Sequence, residues 1–372
     1  MYPYTVSFRH LERMTDDTGL LEHSLGMIPR RKEGYTTDDN ARALWVCLEW
    51  LHYYSLIPNE SQKEKLFHLI DRYLAFLLWA QREDGHFHNN FAYDRTPEPE
   101  RPSDDCLGRA LWASAITIVK LRHDQDRLLA AEQIFDKGME PCAQMAYPRG
   151  WAYALAACSL LAGNLTKIKE TLERWGAGME SVLRSRVRLF ENKLTELYRC
   201  HARAGWHWFE PVMTYSNGVF PWAMLHAYNV TEKQETRQIA KESLDFLIEK
   251  MTAPQGWIRP IGNRGWCTEE TRSKWDQQPI EVMKLALASA QAYRVLGDLI
   301  YWEVLNKCRS WFYGNNDWQT PLVNFQEGSC HDGLTPKGIN GNQGAESTIA
   351  YLLTEANYSI LKLEVEANVC CV

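Results

Sequence analysis

The chain has 372 residues, 45% apolar and 24% charged, with 22 glycines and 15 prolines, a composition that excludes a disordered, collagenous or low-complexity polymer. Lysine and arginine number 41 against 47 aspartates and glutamates, a net charge of −6 without a basic block, so nucleic acid is not an expected partner. The length exceeds what one ordinary hydrophobic core serves, which leaves two domains or one large closed architecture.

The opening stretch, MYPYTVSFRHLERMTDD, lacks the apolar segment of a signal peptide, and no later run approaches the roughly 18 apolar residues of a membrane span. A cytoplasmic protein with no membrane association is the expectation. Apolar residues at three- and four-residue spacing then predict helices over 38–56, 61–81, 104–122, 126–140, 149–163, 178–203, 217–229, 232–251, 279–297, 299–313 and 345–363. Strand alternation is nearly absent. Long connections such as REDGHFHNNFAYDRTPEPERPS and GSCHDGLTPKGINGNQGAES join these helices, and long ordered loops are usually functional. Ten cysteines are scattered with no CxxC, as reduced and mostly buried thiols would be; the paired Cys370 and Cys371 have no assigned role. Tryptophan (15), tyrosine (17) and phenylalanine (12) are abundant, many beside Gly, Asn, Asp or Arg, which suits a cleft for a molecule with flat apolar faces and hydroxyls.

A repeat organises the chain. TDDNARAL (37–44) and SDDCLGRALWAS (103–114) each set Ser or Thr before Asp-Asp, then Arg and Ala-Leu, and comparable openings start at Tyr147, Tyr215, Gln277 and Ala345. These Ala- and Leu-rich helices recur about every 61 residues, with longer-stemmed, more charged helices between them. Two concentric layers follow, the small-residue helices inside and the charged ones outside. The expectation is an all-α fold, an (α/α)6 toroid or six-hairpin barrel, as a single domain over 1–372.

In such a ring the inner helices present their N-termini at one mouth, where partial positive charge and unpaired N–H groups hold carboxylates ionised. Candidate cleft residues are Asp38, Asp39 and Arg42 on the first inner helix, Asp104 and Asp105 on the second, Arg149 and Trp151 on the third, Tyr215 on the fourth, Gln278 and Glu281 on the fifth and Glu346 on the sixth. Loops add Asn89, Asn90, Trp206, Trp208, Glu210, Trp266, His331, Asp332 and Gln343. A structural duty competes with each. Asp38 and Asp104 follow Thr37 and Ser103 and suit helix caps, while Asp38 to Arg42 and Asp105 to Arg109 have the spacing of helix ion pairs. A doubled aspartate exceeds what a cap requires, so one of each pair is expected to face the cavity. In GWHWFEP, Trp206, Trp208 and Glu210 share a face if extended, either as a sugar-stacking platform or as a plug in the ring core.

The sequence thus resembles the broad group of (α/α)6-toroid carbohydrate enzymes, which includes unsaturated glucuronyl hydrolases, N-acylglucosamine 2-epimerases and several inverting glycosidases. FRHLERMTDDTGLLEHSLGMIPRRKEGYTTDDNARALW (8–45), chiefly GYTTDDNARAL, looks more specifically like an uncharacterised helical family found alone or fused to glycosyltransferases. No nucleotide-sugar-binding signature or Rossmann pattern is present, so a transferase label would concern a fusion partner.

The resemblance implies a carbohydrate substrate, no cofactor, and a possible glycosyltransferase partner. The leading expectation is an inverting glycosidase, with Asp39 or Asp105 as base and Glu281, with Glu346 in reserve, as acid, or with the two roles reversed. Alternatives are sugar isomerisation by His86, His207 and His331; zinc chemistry at Cys267, Cys330 and His331; and a non-catalytic carbohydrate-binding module. Arg42, Arg95, Arg149, Arg259 and Arg264 permit an acidic or phosphorylated sugar without demanding one.

Overall fold

The computed structural model describes residues 6–169 and 177–370. In chain order the helices are α1 (Arg9–Met14), α2 (Thr37–Leu56), α3 (Glu60–Ala80), α4 (Asp104–Lys120), α5 (Gln125–Cys142), α6 (Pro148–Gly163), α7 (Leu165–Lys169), α8 (Ala177–His201), α9 (Val219–Thr231), α10 (Gln234–Lys250), α11 (Pro279–Leu296), α12 (Leu299–Phe312) and α13 (Ala345–Cys370). Helices α2, α4, α6, α9, α11 and α13 pack in that cyclic order, and α13 closes the ring on α2. Outside them lie α3, α5, α8, α10 and α12, each against the inner helix of its own hairpin. This is the expected (α/α)6 toroid. The sixth inner helix has the short α1 from the chain's start and α12 against it.

The two layers differ as their compositions require. In α4 every residue from Cys106 to Ile118 is buried, and α11 is buried continuously from Pro279 to Ala290. In α10 burial falls on Thr236, Ile239, Ala240, Ser243, Leu244, Phe246 and Leu247, one stripe of a half-solvated helix. Small residues let the inner rods approach closely. A Cβ on Gly108 would lie 2.8 Å from the Tyr153 Cβ, and one on Gly150 2.7 Å from the Asp104 Cβ, so α4 and α6 meet where neither can carry a side chain. The predicted helix limits fall within two residues of those observed except in α13, which continues from 363 to Cys370; Cys371 lies outside the described residues.

Sequence periodicity gave no sign of four two-stranded antiparallel ribbons: Ser24–Leu25 with Ile28–Pro29, Tyr35–Thr36 with Asn90–Phe91, Val323–Asn324 with Ser329–Cys330, and Leu334–Thr335 with Gly338–Ile339. Each is too short for alternation to register. Cys47, Cys106, Cys142, Cys158, Cys267, Cys308 and Cys330 are buried free thiols, and Cys200 is an exposed one. Among the described residues no helix is long and apolar enough to cross a membrane.

Candidate functional site

The starts of α2, α4, α11 and α13, with the loop entering α9, converge on a two-lobed cleft. One lobe, about 370 Å³, is lined by Glu22, His23, Asp39, Asn89, Asn90, Asp332 and Ser347 among others. The second, also about 370 Å³, is lined by Ser103, Asp105, Arg109, Tyr215 and Ser216. Asp38, Arg42, Gln278 and Glu346 line both and form the shared wall.

Capping sets the carboxylates' directions. Thr36, and not Asp38, caps α2 by accepting from the Asp39 N–H at 3.1 Å, and its hydroxyl donates to Asp39 Oδ2 at 3.1 Å. Ser103 caps α4 by accepting from the Cys106 N–H at 3.3 Å. With the caps supplied by hydroxyls, Asp38 and Asp105 are left to face the cleft. Arg42 donates to Glu346 Oε2 at 2.8 Å and lies 2.9 Å from Asp39 Oδ1. Arg109 donates to Asp38 Oδ2 at 2.5 Å, across helices, and lies 3.5 Å from Asp105 Oδ2. Tyr215 donates its phenol hydrogen to Asp105 Oδ2 at 2.9 Å.

Burial raises the Glu22 carboxyl to about 7, helped by the neighbouring charge of Asp39. Asp39, 3% exposed, is pushed up to about 6 by burial, with Arg42 opposing and Glu346 reinforcing the shift. Below the cleft, Lys284 donates to the Tyr153 hydroxyl, and the Arg109 guanidinium lies 5.5 Å from the Tyr153 ring. Burial lowers the Lys284 pKa; Tyr153 is also lowered because Lys284 and Arg109 outweigh its burial.

The cleft therefore collects Asp38, Asp39, Arg42, Asn89, Asn90, Asp105, Tyr215, Gln278, Asp332 and Glu346 of the expected set. The other candidates are elsewhere. Glu281, expected to be the acid, is 1% exposed and accepts from the Ser216 N–H, the Asn217 N–H at 3.2 Å and Asn217 Nδ2 at 2.9 Å, fastening the loop before α9. Burial raises its pKa against those hydrogen bonds. Asp104 likewise fastens the start of α6, accepting from the N–H groups of Ala146 and Tyr147 at 2.6 and 2.9 Å. Arg149 turns from the cleft to grip Glu210 with two hydrogen bonds of 3.0 Å, and Trp151 donates to the Met145 carbonyl beneath Lys193.

Trp206 and Trp208 are fully buried, which corrects the stacking platform to a core plug: their rings pack edge-on against Phe246 and against Phe209 and Phe220. Trp266 packs at the margin of the core. The Gln343 side chain accepts from the Ser329 hydroxyl, and His331 Nδ1 is 3.0 Å from the Asn340 carbonyl, so both brace the loop before α13. His207 packs on Phe246 of outer helix α10, so the three histidines considered for isomerisation are not assembled at the cleft. Among the described residues no three His, Cys, Asp or Glu side chains are grouped to hold a metal, so Cys267, Cys330 and His331 do not form the considered zinc triad.

Glu22 was missed as a site residue because no helical period reaches it. Its N–H donates to the Gly34 carbonyl and its carbonyl accepts from Ala345, which fixes it beside the start of α13. The one sequence signal was a carboxylate directly after the apolar pair Leu20-Leu21.

No protein-family model matches the chain, and no curated protein matches it in sequence. Solved structures match its fold over nearly the whole length. A cellobiose 2-epimerase from Bacillus thermoamylovorans aligns with TM-score 0.70 at 9% identity, covering 96% of each chain. A GH76 α-mannanase from Bacteroides thetaiotaomicron aligns with TM-score 0.60 at 10% identity, over 96% of this chain and 95% of its own. A cellulase from C. cellulolyticum aligns with TM-score 0.57 at 8% identity, over 92% of this chain and 88% of its own. At these identities the likeness is one of fold, and it is a fold shared by sugar epimerases and glycoside hydrolases.

Proposed function

We propose that this protein is a carbohydrate-active enzyme, specifically an inverting glycoside hydrolase acting on a small oligosaccharide or glycoside. The supporting observation is that carboxyl groups of different character face one cleft from different lobes: Glu22, raised to about 7, and Asp105, held by Tyr215 and Arg109. Inversion needs an acid and a base on opposite sides of the scissile bond, with carboxyls about 6.5–9.5 Å apart. Glu22 takes the acid role expected of Glu281, whose oxygens are engaged by the α9 loop. As the glycosidic C–O bond breaks, Glu22 donates its proton to the leaving oxygen. Asp105 removes a proton from the water that attacks the anomeric carbon from the other face. An alcohol and an inverted hemiacetal leave, and solvent exchange returns Glu22 to acid and Asp105 to carboxylate. Asp39 supports the cycle by the negative charge that helps keep Glu22 protonated, while Asp38 and Glu346 hold hydroxyls on the shared wall.

The test is Glu22→Gln and Asp105→Asn made singly, with product release followed over a panel of glycosides and the product anomer read by NMR. Loss of about 10²–10⁴-fold in turnover of glycosides with unactivated leaving groups is expected for each; full activity in both overturns the assignment. Isomerisation of a free sugar is the second reading, favoured by His23, which lines the cleft with its Nε2 3.4 Å from Glu22 Oε1. Incorporation of solvent deuterium at carbon without hydrolysis would select it. Binding without turnover across the panel would select a carbohydrate-binding module. Association with a glycosyltransferase rests on the sequence resemblance alone.

A further inference from the structure

The charges at the cleft do not balance, and the imbalance bears on which sugars can enter. Six carboxyl side chains line the two lobes (Glu22, Asp38, Asp39, Asp105, Asp332 and Glu346) against two arginines, Arg42 and Arg109. Both guanidiniums are buried, each with 7% of its side chain exposed, and both are committed to carboxylates: Arg42 to Asp39 and Glu346, Arg109 to Asp38 and Asp105. The other arginines that could have served an acidic substrate are also engaged, Arg95 with Asp17, Arg149 with Glu210, Arg259 with Asp317 and Arg264 with Asp276. The charge left to face the guest is that of carboxylates, among neutral amides and hydroxyls such as Asn89, Gln278 and Ser347. The Glu346 side chain is 42% exposed, and Asp38 Oδ1 is a buried acceptor with no hydrogen-bond donor. Such a wall needs donors from its ligand, and hydroxyl or ammonium groups supply them.

Resting on the proposed sugar-binding reading, we infer that the substrate is a sugar without acidic substituents and that the cleft rejects uronates and sugar phosphates. An anionic substituent would lose its water beside several like charges, with no free guanidinium to replace it. Repulsion across a partly desolvated cleft exceeds that in bulk water, because the effective dielectric constant is lower there. A free amino group on the sugar adds attraction of the same origin. Glu346 sets the exclusion most directly, since it is a half-exposed carboxylate that occupies Nη1 of the buried Arg42.

The experiment is calorimetric titration of the full chain at pH 7.5 with sets of gluco, manno and galacto configuration, each comprising hexose, 2-amino-2-deoxyhexose, hexuronate and hexose 6-phosphate. In the configuration that binds, the uronate and phosphate are expected to be weaker than the hexose by about tenfold or more. The gap should narrow as salt is raised and the screening length falls from about 30 to about 8 Å. Glu346→Gln, with its fold checked by thermal melting, should narrow it further by freeing Arg42. An acidic sugar binding as tightly as its neutral counterpart overturns the exclusion and leaves the sugar-site reading standing. If no member of any set binds, both fail together.

Discussion

The two ends of the ring are built from the same six helices and have opposite character. At the mouth, where those helices begin, six carboxyl side chains surround two buried arginines. At the far end their later turns enclose a smaller cavity of about 250 Å³, lined by Trp45, Trp112, Trp222 and His226. There the acids and bases match one to one: Lys120 with Glu49 at 2.9 Å and Arg294 with Glu364 at 2.9 Å. Trp112 and Trp222 meet edge-on at 4.5 Å, and burial lowers His226 to about 3, so it is a neutral ring. The contrast teaches that the rods supply only a frame. At the mouth, clustered carboxylates are held by two buried arginines while hydroxyls cap the helix starts, whereas the far end gains its stability from aromatic packing and paired charge.

That contrast can be broken by substitutions at each end. The largest effect is expected at the mouth: Asp105→Asn and Glu22→Gln should each lower turnover of alkyl glycosides by about 10²–10⁴-fold while leaving the melting curve cooperative. At the far end the effects should exchange. Trp222→Ala removes a ring that is 4% exposed and touches Trp45, Trp112, Tyr153 and His226, and should cost about 3–5 kcal/mol in denaturant unfolding. Sugar binding by the folded fraction should be unaffected.

Glu281→Ala sharpens the comparison within the mouth itself. It should cost about 1–3 kcal/mol by stripping buried N–H groups of their acceptor. A chemical role would instead appear as lost turnover at unchanged stability.

The smallest effect is a pH dependence. The folded-state carboxyls of Glu22 and Asp39 are raised, to about 7 and about 6, above their ordinary values of 4.5 and 3.8. Their stability contribution is therefore fully present below those ordinary values and lost as pH rises through the raised ones. Glu22→Gln should accordingly leave melting unchanged near pH 4 and raise it by about 1–3 °C at pH 8. An equal shift at both pH values would contradict the raised carboxyl.

The ring was legible because inner and outer helices carry different periodic patterns. The continuous burial of Cys106–Ile118 and the single stripe of α10 are already written in the Ala-rich and charged segments. Half-legible were the doubled aspartates. They lie at the mouth, but spacing could not tell that Asp105 lines the cleft while Asp104 fastens the start of α6. That choice depends on where the neighbouring hairpin begins, a contact 42 residues away in sequence. Trp206 and Trp208 misled for a related reason, since aromatic residues beside polar ones fit a cleft and a core plug equally. Glu22 was invisible to periodicity, because its burial arises from non-local pairing with Gly34 and Ala345.

The most direct test of a protonated Glu22 acting across the cleft is the pH profile of kcat/KM for the wild type and Glu22→Gln on two glycosides of one sugar. One carries a 4-nitrophenyl leaving group and the other an alkyl one. An alkaline limb near 7 should govern the wild type on the alkyl glycoside, and Glu22→Gln should lose activity there while retaining much of it on the activated substrate. Equal losses on both substrates, or an alkaline limb that persists in the variant, would contradict it.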